Sequence, residues 1–161
     1  DPLSFRYLCL TAHYRDKLNF TWESLQSAQN ALNNLRGEVR DWEEPKVGCA
    51  EFEQRFMSAV NNDLNIPQAL AVLWEMVRSG YPTSAKAESV LKFDRVLGLK
   101  LADYLGRPIE IPLNVMEAVQ KREHARKSND FKKADEIRKE IEKLGFEIED
   151  TPEGPKIKKA P

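Results

Sequence analysis

The sequence predicts a mainly α protein: an antiparallel helical bundle followed by a small α+β module of two helices and a C-terminal β-hairpin. Apolar residues recur at steps of three and four along most of the chain, as they do on one face of an α-helix. Alternation typical of strands begins only at Phe146. The 161 residues include only 7 glycines and 9 prolines, most of them between the periodic segments, where they separate one helix from the next.

The first helix is predicted from an apolar stripe at steps of four, three and four, formed by Leu3, Tyr7, Leu10 and Tyr14. Asp16–Phe20 interrupts this pattern. Thr21 is then a suitable N-cap for a second helix that runs to about Trp42, with Glu23 in its first turn, where a carboxylate favours the helix dipole.

The segment 43–48 is a loop by composition, and three more helices follow it. We expect them at about Ala50–Asn61, from Pro67 to Gly80 and at about Ser84–Leu97, with Gly98 ending the last. Residues 1–98 thus form the predicted bundle. Because 99–112 contains Gly106, Pro108 and Pro112, it is predicted to be a linker.

Residues 113–161 are the predicted C-terminal module. Two charged helices are expected at about Leu113–Ser128 and Asp130–Leu144, and Gly145 closes the second. A strand at Phe146–Asp150, a turn at Thr151–Gly154 and a return strand at Pro155–Lys159 complete the hairpin.

The overall composition excludes several classes of protein. With 25 Lys+Arg against 26 Asp+Glu, the net charge of -1 shows no basic footprint, so any nucleic-acid site must be local. Two cysteines cannot staple a fold of this size, which favours a reducing, cytoplasmic location. No apolar stretch approaches the roughly 18 residues of a membrane span, and no signal peptide opens the sequence. Because the chain starts at Asp1 without Met, we expect it to be a piece of a longer polypeptide.

No catalytic constellation is visible. The sequence has no glycine-rich phosphate loop, no Walker lysine and no Gly-x-Ser-x-Gly elbow. Cys9 and His13 could face one zinc ion together with Cys49 and His124, but the second pair lacks metal-ligand spacing. We therefore expect no catalytic residue and no metal site in this chain.

One segment carries the chemistry of RNA binding. Lys121–Lys133 holds six basic and two acidic residues, a local charge of +4, with Phe131 at the break between the two helices. Single-stranded RNA needs cations for its phosphates and an exposed ring for an unstacked base. The alternative is a solvated helix pair whose turn is filled by Phe131, and composition alone leaves both open. Lys156, Lys158 and Lys159 form a second basic edge that is equally ambiguous.

Three groups of motifs resemble the region that follows the catalytic core of cysteinyl-tRNA synthetases. The first group comprises Ser4–Tyr7, His13–Arg15, Leu18–Phe20 and Trp22. The second, Asn62–Leu70, resembles the family's Asp-(Phe/Leu)-Asn-Thr-Pro-x-Ala motif, with Ile66 where Thr is usual. The third comprises Arg122–Lys127, Asp130–Phe131, Ala134–Arg138 and Glu149–Gly154, and it is similar to the C-terminal anticodon module. The likeness covers essentially the whole chain and is weakest from Gly80 to Leu113.

The resemblance implies a function in tRNA recognition. The complete enzyme attaches cysteine to its tRNA using ATP, in a doubly wound domain that carries His-Ile-Gly-His-type and Lys-Met-Ser-Lys-Ser-type motifs and a zinc ion. This sequence contains neither motif. ATP and zinc are thus expected only in the absent catalytic domain. The chain is expected to bind tRNA for cysteine, to accompany that catalytic domain, to be inactive alone and to have no membrane partner.

The resemblance also assigns residues. Arg126 matches an arginine that contacts an anticodon base and phosphate, and Phe131 matches an aromatic position, Trp in many relatives, on which a base stacks. Asp135 and Asp150 match carboxylates that accept hydrogen bonds from base amino groups. Weaker contacts to the tRNA backbone are implied for Lys127, Lys132, Lys133 and Arg15.

Other motif residues have structural alternatives. Arg6 is expected to brace the bundle against the catalytic part, and Arg15 could equally form a salt bridge or a helix cap. Asn65 is expected to begin a helix. The three tryptophans, Trp22, Trp42 and Trp74, are expected in the core or at an interface.

Two rival functions stay open. One is a ligase of the same architecture that joins cysteine to an amino sugar; an intact anticodon module argues against it. The other is a helical module that descends from a synthetase and docks a protein partner without RNA specificity.

Overall fold

Seven α-helices and one antiparallel β-hairpin make up the part of the chain that the computed structural model describes, residues 1–151 and 154–159. The helices are α1 (Pro2–Leu10), α2 (Trp22–Arg40), α3 (Ala50–Asn61), α4 (Ile66–Arg78), α5 (Thr83–Leu97), α6 (Leu113–Lys127) and α7 (Phe131–Lys143), and the strands are β1 (Phe146–Thr151) and β2 (Gly154–Lys159). The predicted mainly α fold with a small β-hairpin is confirmed. The chain divides into two compact units, Asp1–Pro108 and Ile109–Pro161. None of the helices in the described residues is long and apolar enough to cross a membrane.

The ends of the first two helices follow local capping. The Thr21 side chain accepts a hydrogen bond from the backbone N–H of Ser24, whose hydroxyl in turn accepts one from the Thr21 N–H. This reciprocal capping box starts α2, and Thr21 is its N-cap as predicted. The prediction that Tyr14 continues the first helix is wrong: α1 ends at Leu10, and Tyr14 is 59% exposed. Trp42 lies beyond the end of α2 and is buried.

The core of the first unit is formed by the inner faces of α1 to α5. Phe56 of α3 stacks on Phe93 of α5 with ring centroids 4.0 Å apart, and both side chains are buried. Trp74 is half-buried and donates its indole N–H to the Tyr7 hydroxyl at 2.8 Å. Trp22 does not lie in the core, since it is 76% exposed and contacts the ring of Phe20; the alternative, an interface position, stays a prediction.

The segment predicted as a linker, 99–112, is divided between the two units. Gly98 ends α5 in the left-handed conformation, with a φ of 65°. The Asp94 carboxylate then accepts hydrogen bonds from the backbone N–H groups of Leu99, at 2.7 Å, and Leu101, at 2.8 Å. Both leucines are fully buried in the first core, so the chain up to Pro108 belongs to the bundle.

The second unit packs α6, α7 and the hairpin around its own small core, which contains Val115, Val119, Ile137, Ile141, Phe146 and Ile148. Ile148 is paired with Ile157 across the antiparallel strands. Leu144 is the C-cap of α7, and Gly145 follows it with a φ of 83°. Pro152 and Glu153, in the predicted turn, lie outside the described residues.

Candidate nucleic-acid interface

The turn between α6 and α7 presents an aromatic ring to solvent. Asn129 has a φ of 58°, which reverses the chain direction, and the Asp130 side chain accepts a hydrogen bond from the Lys133 N–H at 3.2 Å. Phe131 is the first residue of α7, and it is 59% exposed. More than half of the Phe131 surface is therefore accessible to a partner, so the side chain does not fill the turn.

Arg122 lies beneath the surface of the same unit and binds a carboxylate of the hairpin. Only 4% of Arg122 is exposed. Its Nη1 and Nη2 atoms donate to Oδ1 and Oδ2 of Asp150 at 2.9 and 3.0 Å, and Nη1 also donates to Oε1 of Glu123 at 2.9 Å. Two parallel charge-assisted hydrogen bonds of this kind fix both the position and the plane of the carboxylate.

Arg126, one helical turn after Arg122, reaches the same carboxylate from the solvent side. Its Nη1 donates to Oδ2 of Asp150, and 38% of the Arg126 side chain remains exposed. The two hydrogen bonds from Arg122, and then the one from Arg126, lower the pKa of Asp150 to about 2. Asp150 is therefore a carboxylate, with hydrogen-bond acceptors only, throughout the physiological range.

These residues border an open depression, which we call the charged depression. It is lined by Glu123, Arg126, Lys127, Asp150, Gly154 and Pro155. Asp135 of α7 is close enough for its charge to contribute to the raised pKa of Arg122, after the larger effects of Asp150 and Glu123. The depression thus combines exposed cations with an oriented acceptor.

The structure brings together some of the residues implied by the resemblance. Arg126 and Asp150 are in direct contact, and Lys127 lines the same depression. Lys132 and Lys133 are exposed beside Phe131 in the first turn of α7.

The local charge of the basic segment is only partly available to a ligand. Of the six cations counted in Lys121–Lys133, Arg122 is buried and Arg126 is paired with Asp150. Lys121, Lys127 and the two lysines of α7 are exposed. On the hairpin, Lys158 lies 2.6 Å from Glu149, whereas the side chains of Lys156 and Lys159 lie outside the described residues.

Arg15 belongs to the first unit and is engaged within it. Its Nη2 lies 3.0 Å from Oδ1 of Asp63, and its Nε donates to the Tyr14 hydroxyl at 2.8 Å. The salt bridge expected as an alternative for Arg15 is therefore present, and its contact with the tRNA backbone stays a prediction. Arg6 donates to the Gly98 carbonyl at 3.3 Å, a contact between α1 and the end of α5. Asn65 caps α4 as expected, by accepting from the Gln68 N–H.

Arg122 is a functional candidate to which the sequence analysis assigns no role, although the motif Arg122–Lys127 begins with it. The signal in the sequence is its position three residues after Val119, on the stripe that also contains Val115. Within the described residues, no three His, Cys, Asp or Glu side chains cluster as metal ligands would.

Comparisons with known proteins agree with the motifs. Residues 55–106 match the family described as "DALR domain", and residues 110–155 match "Cysteinyl-tRNA ligase anticodon binding domain". The chain is 47% identical over 157 residues to Cysteine--tRNA ligase 1 of Burkholderia lata, which covers 98% of this chain and 33% of that protein. It is 36% identical to Cysteine--tRNA ligase of Borrelia hermsii (98% and 38% covered) and 35% identical to that of Methanosarcina mazei (96% and 37% covered).

These matches confirm the resemblance to the C-terminal region of cysteinyl-tRNA synthetases. The chain carries a DALR domain and an anticodon binding domain of the cysteinyl-tRNA ligase type. It spans about a third of the length of the curated relatives it matches.

Proposed function

We propose that this chain is the tRNA-binding region of a cysteine–tRNA ligase, and that its second unit reads the anticodon of tRNA for cysteine. The catalytic domain of the same ligase, which would bind ATP and zinc, would then attach cysteine. The chain by itself binds and does not catalyse. The observation that carries the proposal is the Asp150 carboxylate, held in the charged depression of a unit that matches an anticodon binding domain.

A carboxylate in this place suits base reading better than phosphate binding. Asp150 would repel RNA phosphates. The amino groups of guanine, adenine and cytosine, in contrast, donate hydrogen bonds that a carboxylate can accept. An ionised carboxylate offers about four lone-pair sites. Among the described residues, three donated hydrogen bonds from Arg122 and Arg126 occupy Asp150, so about one site remains for a base.

Arg126 can change partner without breaking the fold. Its side chain is exposed, while the buried Arg122 keeps its own two bonds to Asp150. When the Arg126 guanidinium turns to a base edge or a phosphate, a second acceptor site of Asp150 is released to the base. Phe131 supplies the stacking surface, and Lys127, Lys132 and Lys133 supply sequence-independent attraction to the RNA backbone. Asp135, exposed on α7, is a second acceptor for base amino groups.

The test is a filter-binding titration of the full chain at fixed salt, against tRNA for cysteine and against the same tRNA with its anticodon changed. We expect tighter binding to the authentic anticodon. Arg126→Ala and Asp150→Ala should each weaken that binding by about tenfold or more, the effect of removing one charge-assisted hydrogen bond. Arg55→Ala is the matched control, because Arg55 is a partly exposed arginine that is also paired with a carboxylate, Glu75, but in the first unit.

Two results would contradict the proposal. Unchanged affinity in both variants would remove Arg126 and Asp150 from the interface. Equal and weak binding to both tRNAs would favour a cysteine:amino-sugar ligase. A docking module would instead use an exposed apolar patch and show no RNA affinity.

A further inference from the structure

Arg122 cannot touch RNA, yet it contacts the carboxylate that is proposed to read it. Only 5% of its side chain is exposed, and its guanidinium lies between α6 and β1. Both terminal nitrogens of Arg122 donate hydrogen bonds to Asp150, at 2.9 and 3.0 Å, although the two residues are 28 positions apart in the sequence. The contact between Arg122 and Asp150 therefore holds β1 against α6 at a fixed point.

The orientation of Asp150 is set by Arg122 and not by Arg126. A bidentate pair fixes the plane of a carboxylate, whereas a single contact leaves rotation about it. Arg126 makes a single contact from a partly exposed side chain, which samples other rotamers readily. Arg122 is buried, and its neighbour Glu123 accepts a further hydrogen bond from Nη1 at 2.9 Å, so two carboxylates restrain the position of its guanidinium.

A fixed acceptor matters because anticodon reading is a difference between two affinities. A carboxylate that rotates can accept a hydrogen bond from an amino group in almost any position. A carboxylate held in one plane accepts a good hydrogen bond only from a base whose amino group lies in line with its free lone pair. The guanidinium beneath Asp150 also offsets the charge of the carboxylate, which reduces its repulsion of nearby phosphates. Arg122 can therefore increase the specificity for the anticodon without contacting the tRNA.

We propose that Arg122 is a positioning residue for anticodon discrimination, acting through the carboxylate of Asp150; the inference rests on the proposed function. It predicts that a change at Arg122 alters the ratio of the affinities for authentic and changed anticodons. The sequence-independent part of the affinity, and its dependence on salt, stays the same, because Arg122 makes no phosphate contact.

The experiment measures that ratio for Arg122→Lys. A lysine keeps the charge but cannot present two parallel donors to one carboxylate. We expect discrimination between the two tRNAs to fall about tenfold, as for the removal of one charge-assisted hydrogen bond, with an unchanged salt slope. Arg55→Lys is the matched control, since Arg55 is an arginine paired with a carboxylate, Glu75, in the first unit and outside the anticodon motifs. The control should keep the wild-type ratio.

A double variant separates positioning from a general structural effect. If Arg122 acts through Asp150, then Arg122→Lys has no further effect on discrimination once Asp150→Asn is present. An equal loss in both backgrounds would overturn the proposal. So would a folded Arg122→Lys chain, checked by circular dichroism, that keeps full discrimination.

A second measurement does not require Arg122 to be changed, because that variant could fail to fold. In the Arg126→Gln chain, the carbon-13 shift of the Asp150 carboxyl is followed against pH. We expect the pKa of Asp150 to stay below its ordinary value, because the bidentate contact remains. A return to the ordinary value would show that Arg126 holds the carboxylate, and the proposal would be wrong.

The outcomes also separate this inference from the proposed function. If the wild-type chain does not discriminate between the two tRNAs, the proposed function fails, and the role of Arg122 in discrimination fails with it. If the wild-type chain discriminates and folded Arg122→Lys does so equally, only the inference fails.

Discussion

Replacement of the exposed residue Phe131 should separate an effect on tRNA binding from an effect on stability most clearly. Phe131 is 59% exposed, so about two fifths of its surface is buried by the protein. Full burial of a phenylalanine stabilises a fold by about 1.5–3 kcal/mol, and Phe131→Ala should therefore cost about 1 kcal/mol of unfolding free energy. The chain should remain folded.

The cost in binding should be larger than the cost in stability. A base stacked on an aromatic side chain contributes about 1–3 kcal/mol, which predicts that Phe131→Ala raises the Kd for tRNA by about 5- to 150-fold. Phe131→Trp should tighten binding, because an indole offers a larger stacking area. If the ring of Phe131 only packed on its own helix, we would not expect alanine at this position to weaken tRNA binding and tryptophan to tighten it.

The assay is the filter-binding titration with tRNA for cysteine, beside urea unfolding of the same variants. Leu144→Ala is the matched control: it removes a large apolar side chain that is 47% exposed, at the other end of α7. Two results would refute the reasoning: a Kd for Phe131→Ala within twofold of the wild type in a folded chain, or an equal weakening of binding by Leu144→Ala.

Two further predictions concern charge and core. Joint replacement of Lys132 and Lys133 by alanine should lower the slope of log K against log salt by about 0.7 for each phosphate that the two lysines neutralise, equally for both tRNAs; an unchanged slope would mean that these lysines bind no phosphate. Phe56→Ala should reduce the unfolding free energy by about 3–5 kcal/mol, because Phe56 is 1% exposed and stacks on Phe93. A decrease below about 1 kcal/mol in urea unfolding would contradict that packing.

Helix ends are predictable from sequence wherever a local signal decides them. Thr21 and Gly98 act within a few residues, through a side-chain cap and a left-handed backbone, so the sequence alone identifies them. The third helix, predicted at about Ala50–Asn61, has those bounds in the structure. Its apolar period ends where Asn62 begins a turn.

Periodicity and composition mislead the prediction where a side-chain contact that neither pattern reveals decides the structure. Tyr14 fits the spacing of the first helix, but its hydroxyl donates to Asp63 at 2.8 Å, a partner 49 residues away that the spacing does not reveal. Leu99 lies in a segment rich in glycine and proline, which favours a linker, yet the Asp94 carboxylate satisfies its backbone N–H and allows its burial. Trp22 is a large apolar residue of the kind usually found in a core, but its side chain is exposed.

The pair of Arg122 and Asp150 follows from two separate patterns in the sequence. In α6 the buried stripe passes from Val119 to Arg122, so a cation lies on the core side and needs a partner there. In β1 the alternation that buries Phe146 and Ile148 places Asp150 on the same face, two residues further on. The helix period and the strand period each lead to one member of the pair, and the packing of α7 and the hairpin beside α6 brings the two together. The same face of the strand therefore provides apolar residues for the core and, at its end, the acceptor that is proposed to read a base.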